Sequence, residues 1–354
     1  MLDQQDLFLS GTGGYHTYRI PAILRTRSGA LLAFCEGRRH HGHDSGDIDL
    51  LLRRSEDGGS TWSPQEAIWA DPGNTTGNPC PVLDRRTGTV WLLLTHNLGV
   101  DVERQIIARE SQGTRTVWVT RSEDDGRTWA APAEITAAVK RPDWTWYATG
   151  PGAGIQLTSG RLLIPCDHIE ADTRRYYSHA IYSDDHGGRW RLGGSTPDDQ
   201  VNECEAVELE DGRVLLNMRN YDRARHARAR SWSSDGGLTW GPVDRDPALV
   251  EPICQASIRR WTTKADAGRG RILFSNPACT ETRRRLTVRL SYDEGTTWPE
   301  SGVLHEGPAA YSCLVALAEG TAGCFYERGE AGPYERLTWA RFDLDWLTGG
   351  RDRG

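Results

Sequence analysis

The chain has 354 residues, of which 37% are hydrophobic and 26% charged, with a mean hydropathy of -0.59; this composition excludes a disordered polymer and leaves ample material for a folded core. Its net charge of -7 argues against a general affinity for nucleic-acid phosphate or anionic lipid, and no run reaches the roughly 18 apolar residues of a membrane span. The eight cysteines stand singly, with no Cys-x-x-Cys pair, which excludes a zinc framework or a small disulfide scaffold and predicts reduced, buried thiols.

The first predicted element is the short apolar segment Arg19-Ile-Pro-Ala-Ile-Leu, followed by a turn at Gly29 and a second apolar run, Ala-Leu-Leu-Ala-Phe. A third run, Asp49-Leu-Leu-Leu-Arg, leads into the phrase Ser55-x-Asp57-x-Gly59-x-Thr61-Trp62. The same succession restarts at Asn78, Gly150, Glu203 and Gln255, with turns at Gly88, Gly160, Gly212 and Gly270. Its closing phrase recurs at Ser122–Trp129, Ser183–Trp190, Ser233–Trp240 and Ser291–Trp298, with Arg189 replacing Thr in the third copy. A sixth copy opens at Tyr311, turns at Gly320 and lacks the phrase, but retains the run Leu337-Thr-Trp-Ala-Arg-Phe.

Asp, Gly and Trp restored at fixed offsets five times mark a repeated supersecondary unit. Two strands joined by a Gly turn form a hairpin, a third strand precedes each phrase and a fourth follows it. Such a sheet is too small to bury its faces alone and buries them against its neighbours. The expected fold is all-β: one domain over residues 1–354, a six-bladed β-propeller with four antiparallel strands per blade. The C-terminal strand is expected to close the ring with the N-terminal segment.

Equivalent positions of such an array lie at one height. The first residues of the innermost strands are Arg19, Asn78, Gly150, Glu203, Gln255 and Tyr311, several of them polar where a blind core wants small apolar groups. The ends of the second strands supply Glu36 and Arg38, Asp167 and His168, Arg219, Asn276, and Tyr326 with Glu327, while the loops to the third strands add Asp44 and Arg283. One face therefore collects Arg19, Arg38, Arg219, Arg283, Glu203, Glu327, Asp44 and Tyr311. Clustered guanidiniums imply an anionic ligand. A tyrosine beside a glutamate can be a nucleophile with its base, because a phenol of ordinary pKa about 10 needs a proton acceptor at neutral pH.

Asp47 and Asp49 compete with Asp44, whose Gly-rich loop suits a mobile acid; Glu205 competes with Glu203, which lies nearer the mouth; Arg284 and Arg285 compete with Arg283. The histidines His40, His41 and His43 lack an accompanying metal-ligand pattern. The stretch Arg223 to Arg230 reads as a solvated strand or loop.

Taken together, Tyr18-Arg19-Ile20-Pro21, the five phrases, Asn202-Glu203, Leu216-Asn217-Met218-Arg219 and Tyr311-Ser312 resemble the exo-α-sialidases of the bacterial and animal type, over about residues 10 to 346. The resemblance implies a triad of Arg19, Arg219 and Arg283 gripping the carboxylate of sialic acid, with Glu327 bracing Arg19. It implies Tyr311 as nucleophile, Glu203 as its base, Asp44 as acid/base, and Arg38 and Asn78 lining the sugar pocket. Sialylated glycans would be the substrate, hydrolysed with retention through a tyrosyl-sialoside, without metal or organic cofactor.

A trans-sialidase, an enzyme preferring the deaminated sugar Kdn, and a non-catalytic propeller binding an anionic glycan stay open as alternatives. Trp144 and Trp146 are candidate aromatic surfaces beside the pocket. A monomer is expected, without nucleic-acid or membrane partners. No leader is visible from Met1 to Asp6, so the expected location is cytoplasmic, or extracellular if a leader was removed. The repeated phrases are expected on the face opposite the chemistry, their Asp side chains capping turns and their Trp rings packing between repeats.

Overall fold

The computed structural model describes residues 1–318 and 320–352. Its regular structure is overwhelmingly β, with twenty-four strands and four helices of at most six residues among the described residues. None of these helices is long and apolar enough to cross a membrane. The strands Thr17–Arg25 and Leu31–Arg38 are buried along almost their whole length, which explains why they read as continuous apolar runs rather than alternating ones. The turn between them places Gly29 at φ +97°, a left-handed conformation that only glycine adopts without strain.

Hydrogen bonding joins the strands into four sheets, of seven, five, four and eight strands, where six separate four-stranded sheets were expected. Two features merge what the repeats would keep apart. The strand Glu300–Ala316 runs for 17 residues, pairing first with Arg284–Ser291 and then with Thr321–Arg328. A single parallel pair, Ile48 with Thr75, links the first and second repeats. At the other extreme of the chain the N-terminal strand Leu2–Leu9 pairs antiparallel with Arg336–Asp343, as the closure expectation requires.

Register separates the repeated phrases from the residues that collect on the other face. In the first repeat Arg38 pairs with Ile48 and Leu31 with Ser55, so Ser55 sits at the strand end remote from Arg38. Asp57 accepts hydrogen bonds from the backbone N–H of Ser60 and Thr61 at 3.0 and 2.9 Å, and Ser55 Oγ accepts from Gly59 N at 2.8 Å. The same bonds recur at Asp124, Asp235 and Asp293 for the second N–H. Trp62 packs edge-on against Trp339, Trp129 against Phe34 and Trp190 against Trp91, in each case reaching the preceding repeat or the chain-closing one.

Seven cysteines are buried and Cys279 is partly exposed, all as free thiols. One expectation fails in the basic stretch: Arg228 is fully buried rather than solvated, donating to Glu251 Oε2 at 2.7 Å and to Asn217 Oδ1 at 2.8 Å. A guanidinium can be buried there because both partners are buried with it.

Candidate active site

The opening strands of most repeats carry an irregularity at the same place. Register slips by one residue between Arg19 and Ala22, Gly77 and Cys80, Trp144 and Tyr147, Val201 and Cys204, and Ala309 and Ser312. A bulge inserts an unpaired residue and re-aims its side chain. The residues carried at or within these bulges include Arg19, Asn78, Trp146, Glu203 and Tyr311, all of which line one cavity of about 370 Å³. Ile20 and Asn78 adopt φ of +60° and +52°, so the backbone is strained where these side chains turn inward.

Arg38, Asp44, Arg219 and Arg283 line the same cavity. Glu327 lies directly behind it, wholly buried, and ties two of its walls together. Its Oε1 accepts from Arg19 Nε at 2.7 Å and from Ile20 N at 3.0 Å, while its Oε2 accepts from Tyr311 N at 3.0 Å. Arg283 donates to Tyr334 Oη at 2.7 Å and to the Ile253 carbonyl at 3.1 Å. The phenol of Tyr311 donates a short hydrogen bond to Glu203 Oε1 and accepts from Arg219 Nη1 at 3.1 Å. The same Nη1 donates to Glu203 Oε2 at 2.6 Å. Burial and the Glu203 carboxylate push the Tyr311 phenol well above its ordinary pKa, against the pull of Arg219, Arg283 and Arg19. The phenol is therefore neutral, with its proton already directed at a carboxylate.

Asp44 projects from the loop after Leu31–Arg38 with its side chain 59% exposed, 2.7 Å from Arg38 Nη2 and 3.7 Å from Arg19 Nη1. Desolvation works to raise its pKa, but the Arg38 and Arg19 guanidiniums outweigh it and hold the carboxyl at about 2. The competing acids are engaged elsewhere. Asp49 is buried against Tyr15 Oη at 2.6 Å and Arg39 at 2.5 Å, and Asp47 faces Arg39 and His40. Glu205 lies below the cavity, accepting from Ala153 N, Ile258 N and Ser257 Oγ at 2.7 to 2.9 Å.

The two aromatic candidates separate. Trp146 lines the cavity, with the Arg115 guanidinium 4.0 Å above its ring, whereas Trp144 is core, stacked on His168 at 3.5 Å. His43 also reaches the cavity. Glu103, Arg115, Tyr221 and Tyr334 line it without having been singled out from sequence. Tyr221 follows Arg219 by two residues and was within reach of the strand-end rule. Glu103 opens a short helix, and Arg115 and Tyr334 lie outside the strands, where no periodicity marks them.

Residues 29–324 match the family model described as a BNR repeat-like domain. A sialidase of Micromonospora viridifaciens is 37% identical over 366 residues, covering 98% of this chain and 54% of that protein. An exo-alpha-sialidase of Aspergillus fumigatus is 32% identical over 370 residues, covering 95% of this chain and 86% of the other. Among solved structures, the Hadza microbial sialidase Hz136 superposes with a TM-score of 0.89 at 31% identity, over 98% of this chain and 69% of that one. The chain thus spans about half the length of the Micromonospora protein and most of the Aspergillus one.

Proposed function

The chain belongs to the BNR-repeat sialidases, and from that premise we propose that it is an exo-α-sialidase releasing terminal α-linked sialic acid from glycoconjugates with retention of configuration. Arg19, Arg219 and Arg283 bind the substrate carboxylate, and Glu327 keeps Arg19 in place. Tyr311 Oη attacks the anomeric carbon while its proton passes to Glu203, and Asp44 protonates the departing glycosidic oxygen. In the second half Asp44 takes a proton from water, the water oxygen displaces Tyr311, and Glu203 returns the proton to the phenolate. Sialidases with a tyrosine nucleophile are a known exception among two-carboxylate glycosidases, so that role is inherited from the family. Arg38 and Asn78 line the sugar pocket.

The observation that carries the reading is the Tyr311–Glu203 hydrogen bond with Arg219 bonded to both, on a cavity wall that also presents Arg19 and Arg283. A neutral phenol approaches an anionic sugar without the repulsion that a carboxylate nucleophile would meet. The finer architecture belongs to the same proposal: one domain built as six four-stranded blades around an axis. The six-fold recurrence of hairpin and glycine turn, the repeated bulge and the pairing of the two terminal strands support it.

Hydrolysis of the 4-methylumbelliferyl glycoside of N-acetylneuraminic acid tests the function. Tyr311→Phe is expected to cut turnover by on the order of 10³-fold or more, and Glu203→Gln by roughly 10²- to 10⁴-fold. Proton NMR of the first-released sugar should show the α-anomer. Wild-type turnover in Tyr311→Phe, or first release of the β-anomer, rules the mechanism out.

A further inference from the structure

Lysine is nearly absent from this chain: of its 42 lysines and arginines only Lys140 and Lys264 are lysine. Lys264 opens a short helix and is exposed. Lys140 instead follows the helix Thr136–Val139 and turns inward, where its Nζ donates to Thr114 Oγ1 at 2.8 Å, to the Arg115 carbonyl at 2.6 Å and to the Thr145 carbonyl at 2.8 Å. Three donors meet three oxygens, a tripod that an ammonium supplies and a planar guanidinium does not. No carboxylate among the described residues forms an ion pair with Lys140; burial, and then the neighbouring Arg115 charge, lower its ammonium to about 7. A cation buried without a counter-ion costs free energy that an apolar side chain of the same length does not, so fold stability alone does not account for it.

Lys140 does not line the catalytic cavity, but its acceptors belong to two segments that do. Arg115 leads into the strand Thr116–Ser122; its side chain donates to Thr95 Oγ1 and Asn78 Oδ1, and its guanidinium lies 4.0 Å over the Trp146 ring. Thr145 immediately precedes Trp146, where the register of Trp144–Thr149 against Leu162–Glu170 slips. The root of the tether is itself fixed: Thr136 Oγ1 accepts from Val117 N at 2.9 Å, Ile135 N donates to the Val117 carbonyl at 2.8 Å, and Val139 is fully buried. One ammonium thus ties the backbone of Arg115 to the bulge that presents Trp146. The bonds among Tyr311, Glu203 and Arg219 involve neither segment. A separate cavity of about 620 Å³, sharing no lining residue with the catalytic one, runs along Lys140, Thr114 and Thr145 and is also lined by the exposed Arg109, Arg141 and Pro142.

We propose that Lys140 is a positioning residue: from outside the catalytic cavity its ammonium holds Arg115 and Trp146 in place against each other, and so sets the affinity of the cavity for substrate without touching it. The inference rests on the sialidase reading above. Without the tether the ligand must order two wall segments that are otherwise preformed, so the effect falls on binding rather than on the proton transfer between Tyr311 and Glu203.

The test is made at about pH 6, where the ammonium is charged, with Lys140→Met, which keeps an unbranched stem and removes the donors. KM for the 4-methylumbelliferyl glycoside of N-acetylneuraminic acid should rise about 10-fold while kcat stays within about 3-fold of the wild type. Calorimetric titration with 2-deoxy-2,3-didehydro-N-acetylneuraminic acid should show the same rise in Kd at unchanged stoichiometry. A reduced stoichiometry at wild-type Kd, the mark of a partly unfolded sample, assigns Lys140 a purely structural role and overturns the proposal. Lys140→Ala removes the stem as well; n-propylammonium, entering by the separate cavity, should bring its KM at least about half-way back, whereas propan-1-ol, of similar size with a single donor, should not. Equal recovery with propan-1-ol shows that the site needs filling rather than a tripod of donors and overturns the proposal, as does an unchanged KM in a folded Lys140→Met. Absence of both hydrolysis and binding in the wild type overturns the sialidase reading itself; an active wild type whose variants keep its KM overturns only this inference.

Discussion

Asp44 is asked to be an acid, yet in the free protein its carboxyl is held at about 2, partial desolvation at the cavity mouth being outweighed by Arg38 and Arg19. At neutral pH it is ionised, and it can protonate a leaving oxygen only when a substrate carboxylate offsets the guanidinium charge next to it. Activity that needs the protonated form falls as pH rises, so the rate should be highest on the acid side of neutrality. Removing the nearer cation by Arg38→Gln should raise the acid's pKa and move the alkaline limb of the pH–rate profile upward by about one unit. An unmoved limb would show that Asp44 is not the group being titrated.

The same depression has a stability consequence. A carboxyl whose folded pKa lies below its ordinary value of 3.8 contributes stability that is complete above about pH 4 and is lost as pH falls toward 2. Asp57 and Asp124, whose pKa values are also held at about 2 by hydrogen bonds led by Thr61 and Thr128 respectively, act in the same window and with the same sign. Acid unfolding should therefore concentrate between pH 4 and 2.

The repeated phrase is a device for joining neighbouring elements. Its Asp caps a tight turn, and its recurrent Gly lets that turn approach the preceding repeat or the chain-closing one: at Gly59, with φ +89°, an added β-carbon would lie 2.3 Å from Trp339 Nε1. Gly187 meets Trp91 at 2.1 Å in the same way. Asp57→Ala is expected to lower stability by roughly 1–2 kcal/mol through lost turn hydrogen bonds, leaving kcat/KM of the folded enzyme unchanged. Gly59→Ala should cost more, because the left-handed backbone and the indole contact are both violated. Melting curves paired with kinetics decide this; selective loss of turnover in a fully stable Asp57→Ala would reverse the assignment of the phrase to structure.

For the molecule as a whole, stability and chemistry meet at the chain closure. The strand Leu2–Leu9 covers the edge of Arg336–Asp343, and its Asp6 accepts from Thr338 Oγ1 at 2.6 Å, Arg328 at 2.9 Å and Arg336 at 3.2 Å. The next strand inward, Thr321–Arg328, carries Glu327, and the one beyond it carries Tyr311. Deleting residues 2–9 should expose an unpaired edge, lower the melting temperature, promote association on size exclusion and abolish hydrolysis. A truncated chain that stays monodisperse and active would show that the two termini are not mechanically coupled to the site.

The repeat phrase, the glycine turns and the apolar runs are local patterns, so the all-β class and the hairpins that carry Arg19, Glu203, Arg219 and Tyr311 were legible in the sequence alone, although Tyr311 falls inside the 17-residue strand Glu300–Ala316 rather than at a strand start. Each depends on apolar runs and turn chemistry that act within a few residues. The merged sheets and the bulges that turn Glu203 toward the cavity and Glu205 beneath it depend on pairing between distant strands. So does the meeting of Glu103, Arg115 and Tyr334 with residues far away in the chain. Local patterns specified which side chains could meet; long-range packing, through the cost of leaving buried polar groups unpaired, decided which ones did.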